Sequence, residues 1–188
     1  MRKRKLFLSG VIVTWLLLFL ISPSWAEGAR IRDLLVTNNA NHLLVYARVT
    51  DCFTKEMENA ILAGVPTTFT FLLDLYQERS YWFDKKLLRV TVQHTIKYDN
   101  VKKIFYVSVN GEKEPASFPD LESAKRAMAD LNGVSVVPLS SVKRGEYYYV
   151  QLKAKLDKVR LPFYMEYVFF FVSLWDFETD WHREGFYY

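Results

Sequence analysis

The sequence of 188 residues contains one cysteine, seven glycines and three histidines, and each scarcity narrows the chemistry open to the chain. The single cysteine, Cys52, cannot form an intramolecular disulfide, so the fold has to depend on packing. Few glycines leave little room for a phosphate-binding loop. Neither that loop nor a paired-cysteine zinc motif, a His-Glu-x-x-His helix or a Gly-x-Ser-x-Gly elbow is present. We therefore predict a protein that is not an enzyme and that has no metal site and no cofactor.

The excess of positive charge is confined to the first residues of the chain. Residues 1–26 contain four of the 25 lysines and arginines and none of the 21 acidic residues, so residues 27–188 carry equal numbers of each sign. A nucleic-acid-binding surface needs clustered basic residues that displace counterions from phosphates. We therefore expect no nucleic-acid partner.

The N-terminal segment has the order of a signal peptide. Residues 2–5 are basic, residues 6–21 are predominantly apolar, and Ser24 and Ala26 supply the small side chains that a signal peptidase accepts. The apolar run is shorter than the roughly 20 residues that span a bilayer, so we predict cleavage after residue 26, with an uncleaved anchor as the alternative. This divides the chain into a signal peptide, residues 1–26, and a single domain, residues 27–188, exported to the periplasm.

Alternation of apolar and polar residues predicts that this domain consists mostly of β-strands. In the clearest case, residues 88–99, apolar side chains and His94 occupy every second position. Such alternation is typical of strands with one buried and one solvated face. We predict strands at residues 30–37, 43–49, 67–77, 88–99, 104–109, 134–138, 148–157 and 167–175.

Two segments show helical periodicity instead. Thr54 is placed to cap a first helix that ends before residues 64–66, and Asp120 is placed to cap a second. The apolar stripe of the second helix spans residues 121–131 and stops at residues 132–133. The pattern predicts an all-β fold, a two-sheet immunoglobulin-like sandwich of about seven to eight strands with two short inserted helices. A closed barrel and a half-open α+β sheet are the alternatives, and the strand order is not deducible.

Three features could carry chemistry, and we favour a structural interpretation of each. Cys52 is expected to be a small buried apolar residue and not a nucleophile. His94, on the apolar face of its strand, is expected to be a neutral core imidazole bonded to a carbonyl or a tyrosine hydroxyl. Acidic residues and one histidine alternate over residues 176–184, as metal ligands could. Same-face residues of a strand lie about 7 Å apart, so an acidic edge strand or a tail explains this pattern better.

Aromatic residues make up 16% of the chain and cluster in short runs. Most of them should pack in the core, because each ring buries a large area. The run Tyr81-Trp82-Phe83 differs, since Arg79 and Asp84 flank it and charged residues beside aromatic rings are typical of docking surfaces. We predict a binding site formed by Arg79, Tyr81, Trp82 and Asp84.

Several stretches together resemble a family of exported proteins of Gram-negative bacteria that is known only as a domain of unknown function. They are residues 58–66, 79–84, 106–109, 118, 121–124 and 156–163. The resemblance covers about residues 31–176 and brings no catalytic residues with it. Genes of this family typically lie near sensor kinase and response regulator genes of the nitrogen-regulation type. The resemblance therefore implies a periplasmic role accessory to a membrane sensor.

The export signal, the balanced charge and the missing catalytic motifs favour a non-enzymatic periplasmic binding or adaptor domain. We expect its partner to be a periplasmic or membrane sensor protein, bound through the residues around Trp82. Contact with the membrane is expected only through an uncleaved signal segment. Two other classes stay open. One is a small metal-dependent or ligand-processing envelope enzyme that uses His94 or residues 176–184, and the other is a structural envelope protein whose strands pair with another subunit.

Overall fold

The computed structural model describes residues 28–157 and 177–188. The predicted signal peptide, residues 1–26, and the predicted strand at residues 167–175 lie outside this part of the chain. The described elements are β1 (Arg30–Asn38), β2 (His42–Thr50), α1 (Lys55–Leu62), β3 (Thr67–Gln77), β4 (Lys85–Asp99), β5 (Ile104–Val109), β6 (Ala116–Phe118), α2 (Leu121–Ala129), β7 (Asp130–Pro138), β8 (Tyr147–Leu156) and β9 (His182–Tyr187).

The strands form two antiparallel sheets. One has six strands in the order β6-β5-β4-β3-β8-β9, and the other has three in the order β1-β2-β7. Strands β3 to β6 pair in chain order, and β8 then returns to pair with the free side of β3. The predicted β-rich fold, with two sheets and two short helices, is confirmed.

The hydrophobic core joins the two sheets. On β3 the alternate side chains Phe69, Phe71, Leu73 and Leu75 face the core and are fully buried. Val45 of β2 and Val150 of β8 belong to the same cluster and are equally inaccessible to solvent. Because alternate residues of a strand point to opposite faces, the remaining residues of β3 and β8 form an outer face of the six-stranded sheet.

Both predicted helices form, and both predicted N-caps are present. The Thr54 hydroxyl accepts a hydrogen bond from the Met57 N–H at 3.3 Å, and the Asp120 carboxylate accepts one from the Ser123 N–H at 2.8 Å. These bonds satisfy backbone donors that a helix leaves unpaired in its first turn. Each helix then buries one apolar stripe against the sheets.

The second helix ends earlier than predicted, at Ala129, and β7 begins at the next residue. Leu131, expected on the helical stripe, lies opposite Ala47 in the pairing of β7 with β2. At the start of β7 the Arg48 Nε donates to the Asp130 carboxylate at 2.7 Å. Pairing between segments far apart in sequence thus overrides the local helical periodicity, which is why the prediction was wrong here.

Residues 132–133, predicted to end the helix, instead form an irregularity in β7. The register of β7 against β2 shifts between the partners of Val45 and Ala47. Gly133 adopts φ +65°, and the Tyr46 hydroxyl lies only 3.0 Å from the point where a Cβ would stand. Glycine suits this position because it tolerates the left-handed conformation and leaves room for the tyrosine.

Strands β6 and β9 were not predicted as such. Strand β9 pairs with β8 at the edge of the six-stranded sheet and includes residues 182–184 of the alternating acidic segment. The edge-strand interpretation is therefore confirmed for those residues. Within the described residues, no helix has the length and apolar character needed to cross a membrane.

Candidate functional site

The four residues of the predicted binding site lie together in the loop that joins β3 to β4. Gln77 at the end of β3 pairs with Lys85 at the start of β4, so residues 78–84 extend beyond the end of the six-stranded sheet. Tyr81, Trp82 and Phe83 are 95%, 78% and 95% exposed. We call residues 79–84 the aromatic tip.

Asp84 fastens the aromatic tip to the sheet. Its Oδ1 accepts a hydrogen bond from the Arg79 N–H at 3.2 Å, which joins the two ends of the tip. Its Oδ2 accepts one from the Tyr149 hydroxyl at 2.8 Å, which ties the tip to β8. Asp84 thus holds the loop in one shape while the three rings between its ends stay in solvent.

Tyr149 has an environment that keeps its hydroxyl protonated. Burial, and then the hydrogen bond to the Asp84 carboxylate, raise the pKa of Tyr149 to about 12. Its ring stacks on Tyr76 of β3, with centroids 5.0 Å apart, and the Arg183 guanidinium lies 3.5 Å from the ring centroid. A protonated hydroxyl is the form that can donate to Asp84, so the tip remains fastened at neutral pH.

A buried carboxylate lies next to these rings on the outer face of the six-stranded sheet. Asp74 is 1% exposed, and its oxygens accept two hydrogen bonds from Arg89 at 2.7 Å and one from Lys86 at 2.6 Å. Burial alone would raise the pKa of Asp74, but the bonds from Arg89 and Lys86 outweigh it and lower the pKa below its ordinary value. The carboxylate is therefore a fixed anion that positions two cations on this face.

Trp181, which the sequence analysis did not select, also lies beside two cations. The Arg89 guanidinium and the Lys153 ammonium lie 5.9 Å and 5.6 Å from its ring centroid. Cations at this distance from an indole face are attracted by the ring quadrupole. Trp181 was missed because Arg89, Lys153 and Trp181 are distant in sequence, and only the pairing of β3 with β4 and β8 brings them together.

His94 is a core residue, as predicted. It is 4% exposed, its ring lies 5.0 Å from that of Phe71, and its Nδ1 is 3.1 Å from the Met128 carbonyl oxygen. Because a carbonyl only accepts, Nδ1 carries the proton in this bond. Burial lowers the pKa of His94, which keeps the ring neutral.

Cys52 is buried, as predicted, beside a small cleft. Its thiol lies 3.7 Å from the Val49 carbonyl oxygen, and burial raises the pKa of the thiol to about 12. The thiolate is the nucleophilic form, so this environment opposes nucleophilic chemistry at neutral pH. The cleft has a volume of about 300 Å³, and its charged lining residues are Arg48, Asp51, Glu122, Lys125, Arg126 and Asp130.

The acidic C-terminal segment does not converge on one point. Glu178 forms an ion pair with Lys153 and a backbone bridge with Lys155, whereas His182 lies in β9. No three His, Cys, Asp or Glu side chains among residues 28–157 and 177–188 are grouped so that they could hold a metal ion. Asp176, the first residue of this pattern, lies outside the described part of the chain.

Phe83 was left out of the predicted site although it is as exposed as Tyr81. The available signal was its place in an unbroken aromatic run at the end of a strand. By contrast, the neighbouring run at residues 147–149 is mostly internal, because Tyr148 is 1% and Tyr149 5% exposed. Position in a loop, and not aromatic content, separates the two runs.

Together these features define a β-sandwich domain with an aromatic loop at one end of its larger sheet and a network of cations and rings on that sheet's outer face. The sequence profile of DUF4390, a domain of unknown function, matches residues 26–184. The chain therefore belongs to the DUF4390 family, which confirms the resemblance to a family of unknown function. No curated protein and no solved structure matches the chain.

Proposed function

We propose that this chain is an exported, non-enzymatic binding or adaptor domain that docks through its aromatic tip onto another component of the cell envelope. The observation that carries the proposal is the exposure of three consecutive aromatic side chains, Tyr81, Trp82 and Phe83. Rings so exposed contribute little to the core, so their place in the sequence calls for another explanation.

The amount of apolar surface at the tip supports a docking role. Three aromatic side chains expose on the order of 500 Å² when they are mostly free of contacts. A typical monomer has one largest apolar patch of about this size, and such a patch is often functional. Among the described residues no other loop exposes consecutive aromatic side chains to this degree.

The two hydrogen bonds of Asp84 also support binding. A loop that is already held in one shape loses little conformational entropy when it binds, and this raises affinity without new contacts. Asp84 provides that restraint by joining the Arg79 backbone to the Tyr149 hydroxyl. The tip is therefore prepared for contact before a partner arrives.

Residues 1–26 support export to the periplasm, because they have the order of a signal peptide. A sensor protein of the envelope is the neighbour that the family resemblance implies. The buried Cys52 thiol and the neutral, carbonyl-bonded His94 are consistent with a non-enzymatic role, since neither is presented to a substrate.

In-cell labelling of two engineered cysteines tests the proposal. Phe83→Cys places a thiol on the tip, and Val101→Cys places one at an equally exposed apolar position in the loop between β4 and β5. We expect a polar maleimide, added to cells with a permeabilised outer membrane, to label position 83 much more slowly than in the purified protein and position 101 at the same rate. Equal rates at position 83 in cells and in solution would refute docking through the tip.

A further inference from the structure

We propose that the surface on which the aromatic tip docks is a lipid bilayer with anionic headgroups, into whose interface Tyr81, Trp82 and Phe83 insert. This inference rests on the proposed function, because it names the chemistry of the component that the tip contacts. It departs from the expectation that the membrane is contacted only through an uncleaved signal segment.

The shape of the tip favours a bilayer over a protein partner. Tyr81 and Phe83 are 95% exposed, so neither ring packs against the surface of the domain. A protein partner would need one surface complementary to all three projecting rings, whereas the bilayer interface is fluid and accepts rings in any direction. Tyrosine and tryptophan also favour the headgroup level of a bilayer, because each combines an apolar ring with a polar group.

Basic residues gather at the same end of the six-stranded sheet. The Glu78 N–H donates to the Tyr147 carbonyl oxygen at 3.1 Å, so the loop before β8 lies beside the tip. The exposed basic residues of these two loops and of the first residue of β4 are Arg79, Lys85, Lys143 and Arg144. Cations placed around an apolar insertion are attracted to anionic lipids and remain at the headgroups while the rings enter.

Acidic residues at this end are fewer. They are Glu78, which lies 3.6 Å from Arg183, Asp84, which keeps its charge because its two hydrogen-bond donors are neutral, and the exposed Glu146. The two loops and the first residue of β4 therefore carry one more basic than acidic residue, whereas residues 27–188 as a whole carry equal numbers of each. The basic residues beside the exposed rings favour an anionic over a neutral lipid surface.

A fourth exposed ring belongs to the same end. Tyr187 is 79% exposed, pairs with Tyr147 in the register of β9 and β8, and packs edge-on against its ring at 4.9 Å. If this end contacts the membrane, the strands of the six-stranded sheet extend from the membrane surface. Val101, at the other end of β4, would then lie far from the lipid.

Fluorescence of an environment-sensitive label tests the inference on the full-length chain. The label is attached to Phe83→Cys or to Val101→Cys, while the buried Cys52 stays unreactive. With vesicles of phosphatidylethanolamine and phosphatidylglycerol we expect the label at position 83 to shift to shorter wavelength and to be quenched by brominated lipid. The label at position 101 should show neither change. Attachment through residues 6–21 gives no reason for a response confined to position 83, so the comparison isolates the tip.

Two variants separate the contributions of ring and charge. Trp82→Ala should lower the apparent affinity of the tip for these vesicles about tenfold or more, because one large ring no longer leaves water. The double change Lys143→Gln and Arg144→Gln should weaken binding to phosphatidylglycerol vesicles and leave the weaker binding to phosphatidylcholine vesicles unchanged.

The outcomes distinguish this inference from the proposed function. If the label at position 83 responds neither to vesicles that contain phosphatidylglycerol nor to phosphatidylcholine vesicles, lipid insertion is refuted. If position 83 is nevertheless protected in cells, and Trp82→Ala removes a specific protein from crosslinked complexes that Val101→Ala retains, the component is a protein and the proposed function stands. If position 83 is neither protected in cells nor responsive to lipid, both are wrong.

Discussion

Replacing Asp84 by alanine should loosen the aromatic tip and lower the stability of the domain. The change removes the acceptor of two hydrogen bonds, from the Arg79 N–H at 3.2 Å and from the Tyr149 hydroxyl at 2.8 Å. The two hydrogen bonds contribute differently to the free energy of unfolding, because their donors differ in exposure to water. Tyr149 is 5% exposed, whereas Arg79 is exposed.

The expected cost follows from these environments. A hydrogen bond to a charged acceptor contributes about 1.5–3 kcal/mol, and a bond made by an exposed backbone N–H contributes less because water replaces it. We therefore expect Asp84→Ala to lower the free energy of unfolding by about 2 kcal/mol, most of it from the Tyr149 hydroxyl that loses its partner. For a domain of this size that corresponds to a fall in Tm of roughly 4–8 °C.

Urea denaturation and limited proteolysis measure the two effects separately. Chymotrypsin cleaves after aromatic residues, so a loosened tip should be cut faster at Tyr81, Trp82 or Phe83 than in the wild type. Asp99→Ala is the matched control, since Asp99 also accepts two hydrogen bonds, both from exposed backbone at 2.9 Å, in the loop between β4 and β5. An Asp84→Ala variant that is no less stable than Asp99→Ala, and is cut no faster than the wild type, would refute the restraint.

Three further predictions concern the buried titratable groups. Arg89→Met should move acid unfolding to higher pH. The lowered pKa of Asp74 stabilises the fold above the ordinary value of 3.8, and this stability is lost as pH falls through the folded pKa, which is higher without Arg89. His94→Asn should reduce the fall in the free energy of unfolding, measured with urea, between about pH 7 and pH 5. In the wild type the unfolded histidine binds a proton below its ordinary pKa of 6.5, whereas the buried ring does not. Cys52 should react with a thiol reagent at least about a hundredfold more slowly in the native protein than in urea, and equal rates would show that the thiol is accessible.

The elements that could be predicted from sequence are those specified by local pattern. Strands β3 and β5 have the predicted bounds, because period-two alternation and flanking turn residues define them within a few positions. Thr54 and Asp120 cap the helices as expected, since capping is a contact between residues three apart in sequence. Each of these features is determined within one short window of the chain.

Features that depend on long-range pairing could not be predicted. Leu131 fits a helical stripe, yet it lies in β7 because β2 offers a partner more than 80 residues away. The cations around Trp181 come from β4 and β8, and nothing near Trp181 in sequence indicates them. Strand order, which the sequence left open, determines both.

The candidate site shows the same division. The tip was found because a run of aromatic residues between Arg79 and Asp84 is visible in the sequence. The restraining role of Asp84 could not be found in the sequence, because its partner Tyr149 lies 65 residues away on β8. The sequence thus identified the exposed rings, and the structure adds the bonds that hold them in place.

A cysteine placed beside the rings shows whether the rings themselves protect the tip in cells. Ser80→Cys, an exposed position within the tip, is compared in the natural sequence and in a variant with serine at positions 81, 82 and 83. We expect the free energy of unfolding of the serine variant to lie within about 0.5 kcal/mol of that of the natural sequence, because the rings are not part of the core. We also expect the thiol at position 80 to be protected from maleimide in cells only when the rings are present. Equal labelling in the two backgrounds, or a large loss of stability in the serine variant, would contradict docking through exposed rings.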